Sequence, residues 1–131
     1  MGIEKDYLMR QLMMLFEVIQ RILGYRKKGE KGKAQEEIKY FYKCLKIERN
    51  VEEMSIEDLI EYLEKEKKLS NEQFEMVALV LKEQGELEDM PINKNNFFRK
   101  AYFMLNKADR ESTSFSMDRQ MKLTELKNYL N

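Results

Sequence analysis

Residues 4–23 read EKDYLMRQLMMLFEVIQRIL and settle the secondary-structure class. Leu8, Leu12, Leu15, Ile19 and Ile22 follow one another at steps of 4, 3, 4 and 3. That spacing returns to one side of a helix at every turn, whereas a half-buried strand alternates every second residue. Phe16 and Leu23 widen the stripe, and Met9, Met13 and Met14 add apolar surface beside it. The expectation is a helix from Glu4 to Leu23 with Leu8, Leu12, Leu15 and Ile19 largely buried and Gly24 as its C-terminal stop.

The same period continues outward along the chain. Tyr25 to Gly32 carries basic residues and two further glycines and reads as a loop. A second helix is expected over residues 33–48. Ala34, Ile38, Phe41 and Leu45 form one face, and Tyr40, Cys44 and Ile47 form a second row, which predicts burial on two sides. Ser55 followed by Asp58 reads as an N-cap with an acidic first turn. The short helix after it carries Ile56, Leu59, Ile60 and Leu63. Ser70 with Gln73 matches a capping box and opens a fourth helix with Phe74, Val77, Ala78 and Leu81, ending near Gly85. Pro91 and Asn93 to Asn96 read as a connection. A fifth helix carries Phe97, Phe98, Ala101, Tyr102 and Leu105. Ser112 to Ser116 interrupts it, because short hydroxyl side chains compete for backbone hydrogen bonds. A sixth helix follows over residues 117–130, with Leu123, Leu126 and Leu130 on one face. No segment alternates with period two, so no sheet is expected.

Two resemblances overlay this pattern. Glu4-Lys5-Asp6-Tyr7-Leu8-Met9-Arg10-Gln11 and Ser114-Phe115-Ser116-Met117-Asp118-Arg119-Gln120 resemble the end segments of a family of small bacterial all-helical proteins of unknown function. That likeness spans nearly the whole chain and implies a helical fold without an activity. Ala78-Leu79-Val80-Leu81-Lys82-Glu83-Gln84-Gly85, with Phe98 and Ala101, resembles a tetratricopeptide-like helix pair over residues 70–110. A lone repeat does not bury its own face, since stacking normally needs three or more. Lys94 also stands where the repeat has a small residue, and the stretch around Pro91 reads as a longer connection than the repeat allows. The implied arrangement is a repeat-like hairpin inside a closed bundle.

Composition bounds the rest. The chain has 131 residues, 43% of them hydrophobic and 37% charged, which fits one domain over residues 1–131. Its 24 basic and 24 acidic side chains cancel, so the global charge footprint of a nucleic-acid binder is missing. They are unevenly placed: net +5 over residues 1–50, −9 over 51–92 and +4 over 93–131. An acidic middle between basic ends can attract them, or a second copy. Cys44 is the only cysteine, which fits a reducing compartment, and it is expected to be a buried, unreactive thiol. The opening residues lack a signal-peptide pattern, and no apolar run reaches the roughly 18 residues of a membrane span. A cytoplasmic location without membrane insertion is the expectation.

The chain has no histidine, which removes the commonest general base, the histidine-activated nucleophiles and most zinc sites. Phosphate-binding glycine loops and dinucleotide fingerprints are missing as well. Asp89 to Lys100 departs from a calcium loop at the glycine, which is Lys94, and at the closing glutamate, which is Lys100. Glu52, Glu53 and Glu57 read as dipole-complementing residues before and within a helix's first turn rather than as a cation site. No catalytic residue, no metal site and no cofactor are therefore expected. Two surface readings remain. Met9, Met13 and Phe16 on the first helix make an apolar surface wider than one partner helix needs, and methionine adapts to varied partners; the alternative is that helices two and four straddle the stripe and the methionines are ordinary core. Arg26, Lys27, Lys28, Lys31 and Lys33 make a basic cluster able to touch phosphate. The leading expectation is an all-α bundle of about six helices, its second half tetratricopeptide-like. It would act as a non-enzymatic protein-interaction or structural module whose partner is another protein or itself, as a homodimer through the first helix. The alternative is a regulatory nucleic-acid-binding domain that uses the basic segment 25–33.

Overall fold

The computed structural model describes residues 2–131, with side chains from residue 4 onward. Six helices follow in order: α1 (Gly2–Lys27), α2 (Lys31–Cys44), α3 (Ile56–Glu61), α4 (Asn71–Leu87), α5 (Pro91–Glu111) and α6 (Met117–Leu130). α3 continues into a π-helical turn, Tyr62–Glu66. No strand occurs among the described residues. The fold is an all-α helical bundle, and among the described residues no helix is long and apolar enough to cross a membrane. The chain forms two compact units, one up to Glu48 and one from Arg49 to Asn131.

The first unit is the α1–α2 pair. Arg21 Nε meets Glu37 Oε1 at 3.0 Å and Tyr40 Oη meets Met14 Sδ at 3.8 Å, which sets the two helices antiparallel. Leu15, Val18, Ile19 and Ile22 of α1 are buried, as are Ala34, Ile38 and Phe41 of α2. Each fully buried large side chain contributes about 1.5–3 kcal/mol.

Both helix ends here differ from the sequence expectation for the same reason. A helix stops where a residue enters the left-handed conformation and its neighbours rebond to the last carbonyls. In α1 that residue is Gly29, φ +76°, with Gly29 N donating to Arg26 O at 3.0 Å and Glu30 N to Tyr25 O at 2.9 Å. Gly24 is simply helical, and most of the expected 25–32 loop belongs to α1 and α2. In α2 the stop is Lys46, φ +56°, with Lys46 N bonding Lys43 O at 2.9 Å and Ile47 N bonding Tyr42 O at 3.0 Å. The helix therefore ends at Cys44 rather than at residue 48. Of the predicted second row, only Ile47 is buried: Tyr40 is exposed, and Cys44 is half-buried at the helix end.

In the second unit α4 packs along α5, α5 packs against α6, and α3 touches α5. The caps read from sequence are present. Ser55 Oγ accepts from Asp58 N at 3.1 Å, and Ser70 and Gln73 form the reciprocal box; Ser116, expected only as part of a break, also caps a helix, its Oγ accepting from Arg119 N at 3.2 Å at the start of α6. The Pro91 region is a correction. Proline is tolerated at a helix's first position because its missing N–H has no intrahelical acceptor there. Pro91 opens α5, and Asn93 to Asn96 lie inside it. The α4–α5 connection is therefore only residues 88–90. α4 likewise runs through Gly85, whose lack of a side chain admits the Phe98 ring: a Cβ there would lie 2.6 Å from Phe98 Cε1.

Candidate interaction surface

Residues nine apart on a helix point in opposite directions, since each step turns it 100°. Met13 and Ile22 stand in that relation. Ile22 lies in the buried row, fully enclosed, and Met13 on the opposite side is 61% exposed. Met9 and Phe16, four before and three after Met13, share its face and are 51% and 52% exposed. Three large apolar side chains at successive turns thus line one outer face of α1. Asp6, Arg10, Glu17 and Gln20, all exposed, lie along the stripe or on one edge of it.

The expected burial of Leu8 fails: it is 48% exposed, and Leu12 is only half-buried, whereas Leu15 and Ile19 are buried as predicted. Length explains the difference. At 1.5 Å per residue the 26-residue α1 is about 39 Å long, against about 21 Å for the 14-residue α2. The antiparallel register set at Arg21–Glu37 and Met14–Tyr40 brings the end of α2 level with the middle of α1. The first turns of α1, with Tyr7 and Leu8, project past it. Tyr7 is 63% exposed but, nine residues before Phe16, points away from the Met9, Met13 and Phe16 face.

The basic set spans the end of α1, the turn after it and the start of α2. Arg26 and Lys27 lie in the last turn of α1, Lys28 in the turn after it, and Lys31 and Lys33 in the first turn of α2. Arg26 and Lys31 are half-buried. Lys33 pairs with Glu30 at 3.3 Å and lies over the Tyr25 ring at 5.7 Å. Cations complement the partial negative charge at the end of α1, but the same charges at the start of α2 oppose its dipole.

The second unit buries four charged side chains that the sequence reading left unplaced: Lys82, Glu83, Lys100 and Arg119. Lys82 Nζ reaches Glu125 at 2.7 Å and Glu86 at 3.2 Å, and Tyr129 Oη donates to the same two carboxylates at 2.9 Å. Burial alone disfavours the Lys82 ammonium, but the two carboxylates outweigh it and raise its pKa. Burial, together with those carboxylates, pushes the Tyr129 phenol well above its ordinary value. Arg119 bonds Asp109 Oδ1 at 2.7 Å, Glu75 Oε1 at 3.3 Å and Ser114 O at 2.8 Å. Lys100 Nζ donates to Val51 O at 3.0 Å and Glu52 O at 2.7 Å, and burial lowers its pKa. The ammonium braces residues 51–52 through these two carbonyls. Lys100 lines a cavity of about 160 Å³ with Glu52, Glu53, Asn93, Asn96 and Phe97. The available signal was positional: Lys82 and Lys100 sit four residues after Ala78 and three after Phe97, on core rows.

Compared with protein-family models, curated proteins and solved structures, the chain matches none.

Proposed function

We propose that this chain is a non-enzymatic protein-interaction module that associates with itself through the outer face of α1. The supporting observation is that Met9, Met13 and Phe16, one helical face, are each more than half exposed. Proteins rarely leave contiguous large apolar side chains in water unless a partner covers them, and a two-fold dimer is the commonest cover because the patch meets itself. The buried charges of the second unit support a structural reading of that half, since each is engaged by neighbours inside the fold. The lone cysteine favours a reducing compartment, and we place the protein in the cytoplasm on that ground. The likeness of α4–α5 to a tetratricopeptide pair draws support from the short connection and from Gly85 seated against Phe98. The nucleic-acid alternative is less well supported, because Lys33 is paired and Arg26 and Lys31 are half-buried.

The test is the pair of substitutions Met9→Glu and Met13→Glu. Both side chains are exposed, so each change should alter fold stability by only about 0.5 kcal/mol. Analytical ultracentrifugation should then show a folded monomer where the parent is a dimer. A variant that dimerises as well as the parent, or one that unfolds, contradicts the proposal.

A further inference from the structure

Resting on that reading, we infer that the partner is a second copy of α1 laid antiparallel across the first, with the two-fold axis passing beside Met13. The charges flanking the stripe select this arrangement. An antiparallel pairing centred on residue 13 sets position 13+k of one helix opposite position 13−k of the other. Arg10 of one copy then lies beside Glu17 of the second, within one residue of perfect register, and the symmetry repeats the pair. Asp6 faces Gln20 of the second copy, whose amide donates to the carboxylate, and this pair also occurs twice. Arg10 and Glu17 lie on the same edge of the stripe, seven residues apart, and such a two-fold axis keeps like edges together. All four side chains are exposed, and Arg10 Nε makes a long 3.4 Å contact with the Asp6 carbonyl.

A parallel pairing in register lacks these contacts. Its two-fold axis runs along the helices and sets like edges on opposite sides, so Arg10 and Glu17 of the two copies are drawn apart, while Asp6, near the middle of the stripe, faces Asp6, a like-charge contact that is disfavoured. In the antiparallel arrangement Met13 meets its own copy at the centre. Met9 and Phe16 of one chain flank Phe16 and Met9 of the other, and Leu12 closes one edge. An apolar core of six large side chains within a charged rim is the usual anatomy of a protein interface. It is smaller than a standard one, so the dimer should dissociate in the micromolar range.

Two experiments on the full chain test the geometry. Arg10→Glu alone and Glu17→Arg alone should each weaken dimerisation by about tenfold or more in sedimentation equilibrium. The double reversal should restore it to near the parent value. In a Cys44→Ser background, Met13→Cys should form a disulfide-linked dimer under diamide. Met9→Cys should not, because antiparallel packing separates the two copies of residue 9 by about 12 Å along the axis, beyond the reach of a disulfide. Cross-linking at both positions, or a double reversal no better than the singles, overturns the antiparallel arrangement while leaving α1 as the surface. A parent chain that is monomeric throughout overturns the underlying reading as well.

Discussion

Replacing Gly85 by alanine sets two known effects against each other. Inside a helix, alanine is favoured over glycine by about 1 kcal/mol. Here the new methyl carbon would lie 2.6 Å and 2.7 Å from two carbons of the Phe98 ring and 3.2 Å from Phe97 Cβ. Carbon atoms rest at about 3.5–4.0 Å, so the ring must retreat by roughly 1 Å. It has little room to do so. Phe98 is buried, Tyr129 stacks on it at 4.6 Å between ring centres, and Tyr129 is tied to Glu86 and Glu125. Overpacking of this kind costs about 1–3 kcal/mol, and disturbing the stacked pair adds about 0.5–1.5 kcal/mol. Net of the helix gain, Gly85→Ala should destabilise by about 1–3 kcal/mol in a urea titration followed by far-ultraviolet circular dichroism. Gly24→Ala is the control. It is also helical but meets nothing within 4 Å, so it should stabilise by up to about 1 kcal/mol. Adding Phe98→Leu should recover part of the Gly85→Ala loss, so that the double variant is less destabilised than the two singles combined. A Gly85→Ala protein as stable as Gly24→Ala would refute the reasoning.

Lys46 holds a left-handed conformation that costs a side-chain-bearing residue about 1–2 kcal/mol, so Lys46→Gly should raise stability by up to about 1 kcal/mol in the same titration. Lys100→Met leaves the Val51 and Glu52 carbonyls without their buried donor and should cost about 1–3 kcal/mol, read as a lower thermal midpoint. The Arg119 guanidinium and the Gln120 amide hold the Asp109 carboxyl below its ordinary pKa of 3.8. Its stabilisation is therefore complete above that value and is lost as pH falls through the depressed one. The stability gap between the parent and Asp109→Asn should be widest at neutral pH and narrow in acid, and a gap independent of pH would contradict the pairing.

What was legible in the sequence was what local rules control. The 4-3-4-3 spacing located α1 and its inner row from Leu15 to Ile22, and Ser55 and Ser70 mark real helix starts because a hydroxyl cap is a contact within three residues. Glycine and proline were harder, because each has several uses. Gly24, Gly29 and Gly85 look alike in a string, yet one is plain helix, one is a left-handed stop and one admits an aromatic ring. Pro91 likewise serves as a helix's first residue rather than a breaker. The exposure of Leu8 depends on the length of α2, and α2 stops early because Lys46 turns left-handed, which no spacing rule reports. Met9, Met13 and Phe16 were legible as surplus apolar surface, while the charges that set an orientation, Arg10 and Glu17, gain meaning only once the exposed face is known.

The central claim is that the outer face of α1 is an association surface, and sedimentation velocity on the unmodified chain tests it most directly. At a concentration on the order of tens of micromolar the boundary should depend on concentration and move toward twice the 15.9 kDa chain mass. A single 15.9 kDa species, unchanged across that range, would contradict it.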